Sequence, residues 1–296
     1  MTDAERIISA LGGHWHGQSG SAPCPVCQPD GRRDQNALSL RDRPGGGLLL
    51  HCHKAGCAYR DVLAAAGTAP GTYEHPDPAE AARRRAEERA ETERKSAQAK
   101  RCWDETQPIA GSLAERYLRR RRIACPLPNT LRFHPECWHG PTARHLAAMV
   151  ARVEGADGFA IHRTFLAPDG TKAVVEPAKM MLGACAGGAV RLLGGHPRLV
   201  VAEGIETALS LASGLLDGPM SLWAALSASG MAALRLPPLV SGAELVVASD
   251  SDDSGAGRGA AHELAERAHA LGWPVSLLPA PDGQDWNDVL LGRVAA

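Results

Sequence analysis

The sequence predicts an α/β protein in three folded parts. A small cysteine-bearing ribbon comes first, then a mixed α/β middle region, then a C-terminal domain on a mainly parallel sheet. Three observations carry this reading. Two close cysteine pairs flank two strand-like runs joined by a Pro-Gly-Gly-Gly turn. From residue 197 onward, short apolar runs of strand type alternate with helical runs, the pattern of a parallel sheet. Two of those strands end in acidic residues. The expected division is 1–68 for the ribbon, 69–101 for a charged helical linker, 102–196 for the middle region and 197–296 for the C-terminal domain. At roughly 150 residues per domain, the 296 residues make about two units of ordinary size.

Composition narrows the class. Apolar residues make up 44% and aromatics 4%, so the core must be built mainly from Ala, Leu and Val. The formal net charge is -1, so any basic surface that holds an acidic partner must be local. No apolar run reaches the length of a membrane span. The opening MTDAERIISALGG is acidic and lacks the apolar stretch of a signal peptide. A cytoplasmic protein with no membrane partner is expected, in which eight cysteines serve as ligands or core rather than disulfides. Cys102, Cys125, Cys137 and Cys185 stand singly and read as small buried hydrophobes.

The ribbon is carried by Pro23-Cys24-Pro25-Val26-Cys27 and by His51-Cys52-His53-Lys54-Ala55-Gly56-Cys57. Strand-like runs over 37–41 and 48–51, joined by Pro44-Gly45-Gly46-Gly47, would fold the second pair back beside the first. A structural Zn²⁺ needs four soft or borderline ligands at tetrahedral corners, about 2.3 Å away for sulfur. Cys24, Cys27, Cys52 and Cys57 are the expected set, with Gly56 allowing the tight second knuckle. The second pair is C-x4-C, looser than C-x2-C, and His51 or His53 could replace Cys52. This order resembles the zinc ribbon at the N-terminus of bacterial and phage primases. That family carries C-x2-H or C-x2-C followed by C-x2-C. This chain departs at the second pair and has a longer central spacing. The resemblance implies a module that contacts single-stranded template and helps choose the start site.

Residues 77–101 show no apolar stripe at helical spacing. Opposite charges recur four apart, at Glu80–Arg84, Arg84–Glu88, Arg89–Glu93 and Glu91–Lys95. Each such pair supports a solvated helix by ~0.2–0.5 kcal/mol, which suits a charged linker. In the middle region, 161–166 reads as a strand, 168–171 as a turn, and 179–183 and 187–192 as further extended runs. Residues 112–122 read as a helix with a basic end, which suits its dipole as well as a nucleic-acid contact.

In the C-terminal domain the strand 198–202 runs into Glu203-Gly204, and the strand 243–249 runs into Asp250-Ser251-Asp252. Further strands are expected over 221–226 and 274–278, and helices over 206–216, 230–236 and 255–271, the last capped by Ser254. In parallel α/β sheets the active crevice lies outside the carboxyl ends of the strands. Three carboxylates meeting there repel each other unless a cation sits between them. Hard oxygen donors in that number suit Mg²⁺ or Mn²⁺, which activate a hydroxyl and polarise a phosphoryl oxygen. Glu203, Asp250 and Asp252 are therefore the candidate catalytic and metal-binding acids.

The run Val200-Val201-Ala202-Glu203-Gly204, followed by Asp250-Ser251-Asp252-Asp253-Ser254-Gly255, resembles the Toprim domain of bacterial-type primases, topoisomerases and some nucleases. The resemblance covers about 100 residues, and Leu226-Ser227-Ala228-Ser229-Gly230 falls where primases carry a small-residue loop. The closing Gln284-Asp285-Trp286-Asn287-Asp288-Val289-Leu290 is similar to the ending of phage and plasmid primases. It makes Asp285 and Asp288 either accessory acids or caps of the last helix. The middle region looks like the part of those primases whose basic residues hold template and incoming nucleotide. Arg163, Lys172, Lys179 and Arg191 are the candidates, for charge reasons general to nucleic acids.

The resemblance implies a primase that makes short RNA primers on single-stranded DNA from nucleoside triphosphates, in phage or plasmid replication. A Toprim-type nuclease and a non-catalytic zinc-containing replication protein are the alternatives. The G-x-x-x-x-G-K-[ST] phosphate loop is absent from the sequence, so a replicative helicase is expected as a separate partner.

Overall fold

A computed structural model describes residues 2–31, 36–43, 47–67, 78–251 and 255–295. The chain divides into two compact units, 1–90 and 91–296, and each is described by itself. No helix among the described residues is long and apolar enough to cross a membrane.

The first unit opens with α1 (Asp3–Ala10), started by a capping box in which Thr2 and Glu5 satisfy each other's backbone N–H. An antiparallel sheet follows, β1 (His14–Trp15), β2 (Gly20–Ala22), β3 (Leu38–Asp42) and β4 (Leu48–Cys52), in that spatial order. The expected hairpin is β3–β4, with Leu38 opposite Cys52 and Asp42 opposite Leu48. The strands β1 and β2 were not legible, because two or three residues are too few to show a period. A short helix α2 (Tyr59–Ala65) closes the unit over a core of Ile7, Ile8, Leu38, Leu40, Val62 and Leu63.

The long helix α3 (Pro78–Asp104) contains the division at 90/91. Glu91 pairs with Arg94 and Lys95 on its exposed side. Its last turns carry apolar anchors, Ala99, Cys102 and Trp103, which pack in the second unit.

The second unit holds two sheets. The first comprises β5 (Gln107–Pro108), β6 (Leu131–His139), β7 (Arg144–Val153), β8 (Ala160–Leu166) and β9 (Lys179–Leu182), antiparallel throughout. Helix α4 (Leu113–Arg120), capped by Ser112, lies against one face. The second sheet has the order β10-β12-β11-β13-β14, from β10 (Val190–Leu193), β11 (Arg198–Ala202), β12 (Ser221–Ala224), β13 (Glu244–Ser249) and β14 (Val275–Pro279). The last four are parallel, and β10 runs antiparallel on the edge. This sheet thus reaches back to residue 190, ahead of the strand–helix alternation that begins at 197. Helices α5 (Ile205–Ser210), α6 (Ala228–Ala233), α7 (Ala256–Ala270) and α8 (Trp286–Ala295) complete the unit.

Both faces of the parallel sheet are buried, as such sheets require. Along β11, Val200 and Ala202 face a core shared with α4, α5 and the antiparallel sheet, while Leu199 and Val201 face α6 and α7. The shared core also contains charge. The buried Glu206 of α5 accepts hydrogen bonds from Tyr117 Oη of α4 at 2.7 Å and from Lys179 Nζ of β9 at 2.9 Å. Burial works against its charge, but the Lys179 ammonium and these hydrogen bonds hold the carboxyl down at about 2.

A carboxyl held below its ordinary value of 4.5 stabilises the fold above that value, and this stability is lost as pH falls toward 2. Urea denaturation across that interval should show the loss in the native chain and a flatter profile in Glu206→Gln. At neutral pH, Lys179→Met should lower stability by roughly 1–3 kcal/mol, since it strands a buried carboxylate.

Candidate metal centres

The first centre is built by the hairpin. Cys52 ends β4, Cys24 and Cys27 lie on the knuckle after β2, and Cys57 precedes α2. All four sulfurs lie within 4.8 Å of one another. Cys27 Sγ and Cys52 Sγ are 3.6 Å apart. A tetrahedral ion with bonds of about 2.3 Å sets its sulfurs about 3.8 Å apart, so this spacing fits. The buried Gln28 holds the first knuckle in place, its Oε1 accepting the N–H groups of Cys24 at 3.1 Å and Ala37 at 3.0 Å. Gly56 turns the second knuckle at φ +58, a region in which a side chain is strained.

Burial opposes a charge on Cys52, yet the backbone N–H groups of Ala55, Cys57 and Lys54 hold its thiol down at about 5. Burial and the neighbouring sulfurs push Cys57 up to about 12. Four crowded thiols with one already acidic are the electrostatics expected where a thiophilic cation belongs. His51 and His53 stay outside the cluster. They are exposed, their rings meet edge to face at 4.5 Å, and His53 Nε2 contacts Ser39 Oγ at 2.9 Å. The cluster therefore takes Cys52 and neither histidine, and this donor set suits Zn²⁺.

The second centre lies at the carboxyl ends of the parallel strands. Glu203 follows β11 and Asp250 follows β13, two adjacent strands in register from Arg198↔Glu244 to Ala202↔Ala248. The Asp250 carboxylate accepts the Thr207 hydroxyl at 3.2 and 3.1 Å, and also the backbone N–H of Trp286 at the start of α8. Burial, with the charges of Asp285 and Glu203, nevertheless pushes Asp250 up to about 6. The loop after β13 is fastened by Ser251, whose Oγ donates to the Ala280 carbonyl at 2.7 Å and whose N–H donates to Gln284 at 3.1 Å. On the far side the Leu226 N–H donates to the Glu203 carbonyl at 2.7 Å, with Leu226 in the left-handed region at φ 74. The first turn of α7 presses on the acids: a Cβ on Gly257 would stand 3.0 Å from Glu203 Oε2 and 3.3 Å from the Asp250 carbonyl.

Asp252 lies outside the described residues, and so does Ser254 as a cap. Asp285 and Asp288 cap α8 reciprocally, Asp285 Oδ1 accepting the Asp288 N–H at 2.8 Å and Asp288 Oδ2 accepting the Asp285 N–H at 3.3 Å. The charge of Asp285 also bears on Asp250. Among the described residues only the four cysteines form a cluster of metal-ligand type, and Glu203 and Asp250, from adjacent strand ends, are the carboxylates that would hold a hard divalent cation such as Mg²⁺ or Mn²⁺.

The basic candidates are not gathered at these acids. Lys179 is committed to Glu206. Arg191 pairs with Glu154 at 3.6 Å and lies over the Trp223 ring at 4.7 Å. Arg163 is buried on the face of β8 turned away from the parallel sheet, donating to the Trp138 carbonyl at 3.1 Å. Lys172 is exposed beyond β8. The basic end of α4 is used structurally: Arg119 donates to the carbonyls of Ile123 and Cys125, Arg120 to that of Asp169, and Arg121 to Asn287 Oδ1. Thr207 and Gly257 escaped the sequence reading. Thr207, one helical turn after Glu203, was the only one with a signal.

Comparison with known proteins adds three findings. Residues 198–296 match the Toprim domain family. Residues 93–192 match a family described as a domain of unknown function, DUF7146. Among solved structures the chain is similar to the RNA polymerase domain of Mycobacterium tuberculosis primase DnaG, at 17% identity and a TM-score of 0.38, covering 69% of this chain and 80% of that one. It is also similar to the primase fragment of the bacteriophage T7 primase-helicase protein, at 14% identity and a TM-score of 0.36, covering 92% and 94%. No curated protein matches significantly.

Two outcomes follow from this geometry. The Cys24→Ser/Cys27→Ser double variant should lose its zinc by elemental analysis, and full retention would remove the cluster from consideration. Gly257→Ala should keep the helix yet crowd the Glu203 carboxylate, weakening Mn²⁺ binding about tenfold by calorimetry.

Proposed function

We propose that this chain, whose residues 198–296 form a Toprim domain, is a DNA primase. It joins nucleoside triphosphates into short RNA primers on single-stranded DNA by metal-dependent nucleotidyl transfer, in phage or plasmid replication. The observation that carries the reading is the pair Glu203 and Asp250 at adjacent parallel strand ends of a Toprim domain, in a chain that also folds a four-cysteine cluster.

In the reaction the 3′ hydroxyl of one nucleotide attacks the α-phosphorus of the next, and pyrophosphate leaves. A divalent cation held by Glu203, Asp250 and Asp252 would polarise the phosphoryl oxygen and acidify the attacking hydroxyl. Thr207 and the Trp286 N–H aim Asp250, and Asp285 adds charge beside it. Of the basic residues, Lys172 has its ammonium exposed for a phosphate, while Arg163, Lys179 and Arg191 serve first as structural partners. The zinc ribbon contacts template, and a replicative helicase holds the enzyme at the fork.

The test is an incubation with single-stranded DNA, labelled nucleoside triphosphates and Mg²⁺ or Mn²⁺. Short oligoribonucleotides should form, and Glu203→Gln, Asp250→Asn and Asp252→Asn should each reduce them by at least about 100-fold without loss of fold. Cleavage of the template in place of synthesis would identify a nuclease. Wild-type synthesis by all three variants would sink the site.

A further inference from the structure

On the face of the antiparallel sheet away from the acids, the last turns of α3 border a cleft of about 450 Å³. Two cysteines from different elements line it. Cys102 of α3 and Cys137 of β6 are separated by 35 residues in sequence and bring their sulfurs to 3.7 Å. Nothing in the sequence announces this contact, since each cysteine stands alone in it. Neither belongs to the zinc-type cluster, whose four sulfurs lie in the first unit. Cys125 and Cys185 instead donate to the carbonyls of Leu209 and Ile161.

The pair is polarised by its surroundings. The two sulfurs share a hydrogen bond in which either can donate, and this contact together with the Arg163 guanidinium draws Cys137 below the ordinary thiol range against its burial. The contact with Cys137 and partial burial push Cys102 above that range. Arg163 is buried at 7% exposure, and among the described residues its Nε has no partner and no carboxylate is paired with it. A buried thiol drawn toward ionisation beside a cation, in contact with a second, partly exposed thiol at the cleft, is the arrangement of an oxidisable dithiol.

We propose that Cys102 and Cys137 form a modification site, oxidised reversibly to a disulfide by a small hydroperoxide that enters the cleft. The Cys137 thiolate attacks one peroxide oxygen and the O–O bond breaks. Cys137 becomes the sulfenic acid and hydroxide leaves. The Cys102 sulfur then attacks the Cys137 sulfur, the S–O bond breaks, and the Cys102 proton leaves with the hydroxyl as water. Two thiols are oxidised and one hydrogen peroxide is reduced to two waters. The sulfurs must close from contact to about 2.05 Å, a movement within reach of two side-chain rotations. The product ties the end of α3 covalently to β6, and a dithiol reductant restores the two thiols.

The experiment treats the full-length, zinc-loaded protein with increasing hydrogen peroxide, alkylates remaining thiols and maps the peptides by mass spectrometry, with zinc release followed in parallel. The peptides bearing Cys102 and Cys137 should become disulfide-linked before zinc is released, and dithiothreitol should reverse the link. Cys102→Ser should stop at a Cys137 sulfenic acid captured by dimedone. Arg163→Lys, which keeps the charge but not the fork of donors, should oxidise at least about tenfold more slowly. Should Cys102→Ser fail to fold, the native and Arg163→Lys results decide the question. The proposal is overturned if both cysteines remain alkylatable at peroxide levels that have already released zinc. It is equally overturned if folded Cys102→Ser captures no dimedone at Cys137, or if Arg163→Lys oxidises at the native rate.

Discussion

Like charges do not share a strand end willingly, and the second unit is organised around making them do so. Glu203 and Asp250 are placed by adjacent parallel strands whose register leaves the chain no freedom to part them. Their repulsion, added to burial, is visible in Asp250, which resists ionisation up to about 6. The fold answers with donors: the Thr207 hydroxyl and the Trp286 N–H both point at that carboxylate. It answers also with space, since α7 approaches the acids only because residue 257 is glycine.

The helix that supplies Thr207 must itself be held, and a second, fully compensated charge does this. Glu206 is the next residue toward the N-terminus and points the opposite way, into the shared core, where Tyr117 and Lys179 meet it. One carboxylate of this stretch is thus neutralised in the core by protein, while Glu203 and Asp250 stand together at the strand ends. The Glu206 pairing also explains why Lys179, a reasonable phosphate ligand on charge alone, is a structural residue first.

Much of this was legible in the sequence, for physical reasons. Strands buried on both faces read as unbroken apolar runs, so β11 and β13 and the acids that end them stood out, as did the paired cysteines around a glycine turn. What stayed hidden depended on distance. The edge strand β10 is four residues long, antiparallel, and joined to β12 by a pairing that no local pattern announces. Cys102 and Cys137 meet only because α3 packs across β6. The four basic candidates were chosen by charge, and charge alone does not say which cations are taken up by Glu154, Glu206 or a carbonyl.

The small core of the first unit has its own consequence. Its buried set includes Cys24 and Cys52 alongside a handful of aliphatic side chains, so sulfur occupies places that carbon would hold in a larger domain. A module of this size buries only a small apolar core, and an ion bound by the four cysteines would add its binding free energy to that of folding. Chelators would act on this unit as denaturants, while the larger unit, with two sheets and its own cores, would stand. Starvation for such an ion during synthesis would then leave the second unit folded beside an N-terminal arm open to proteases.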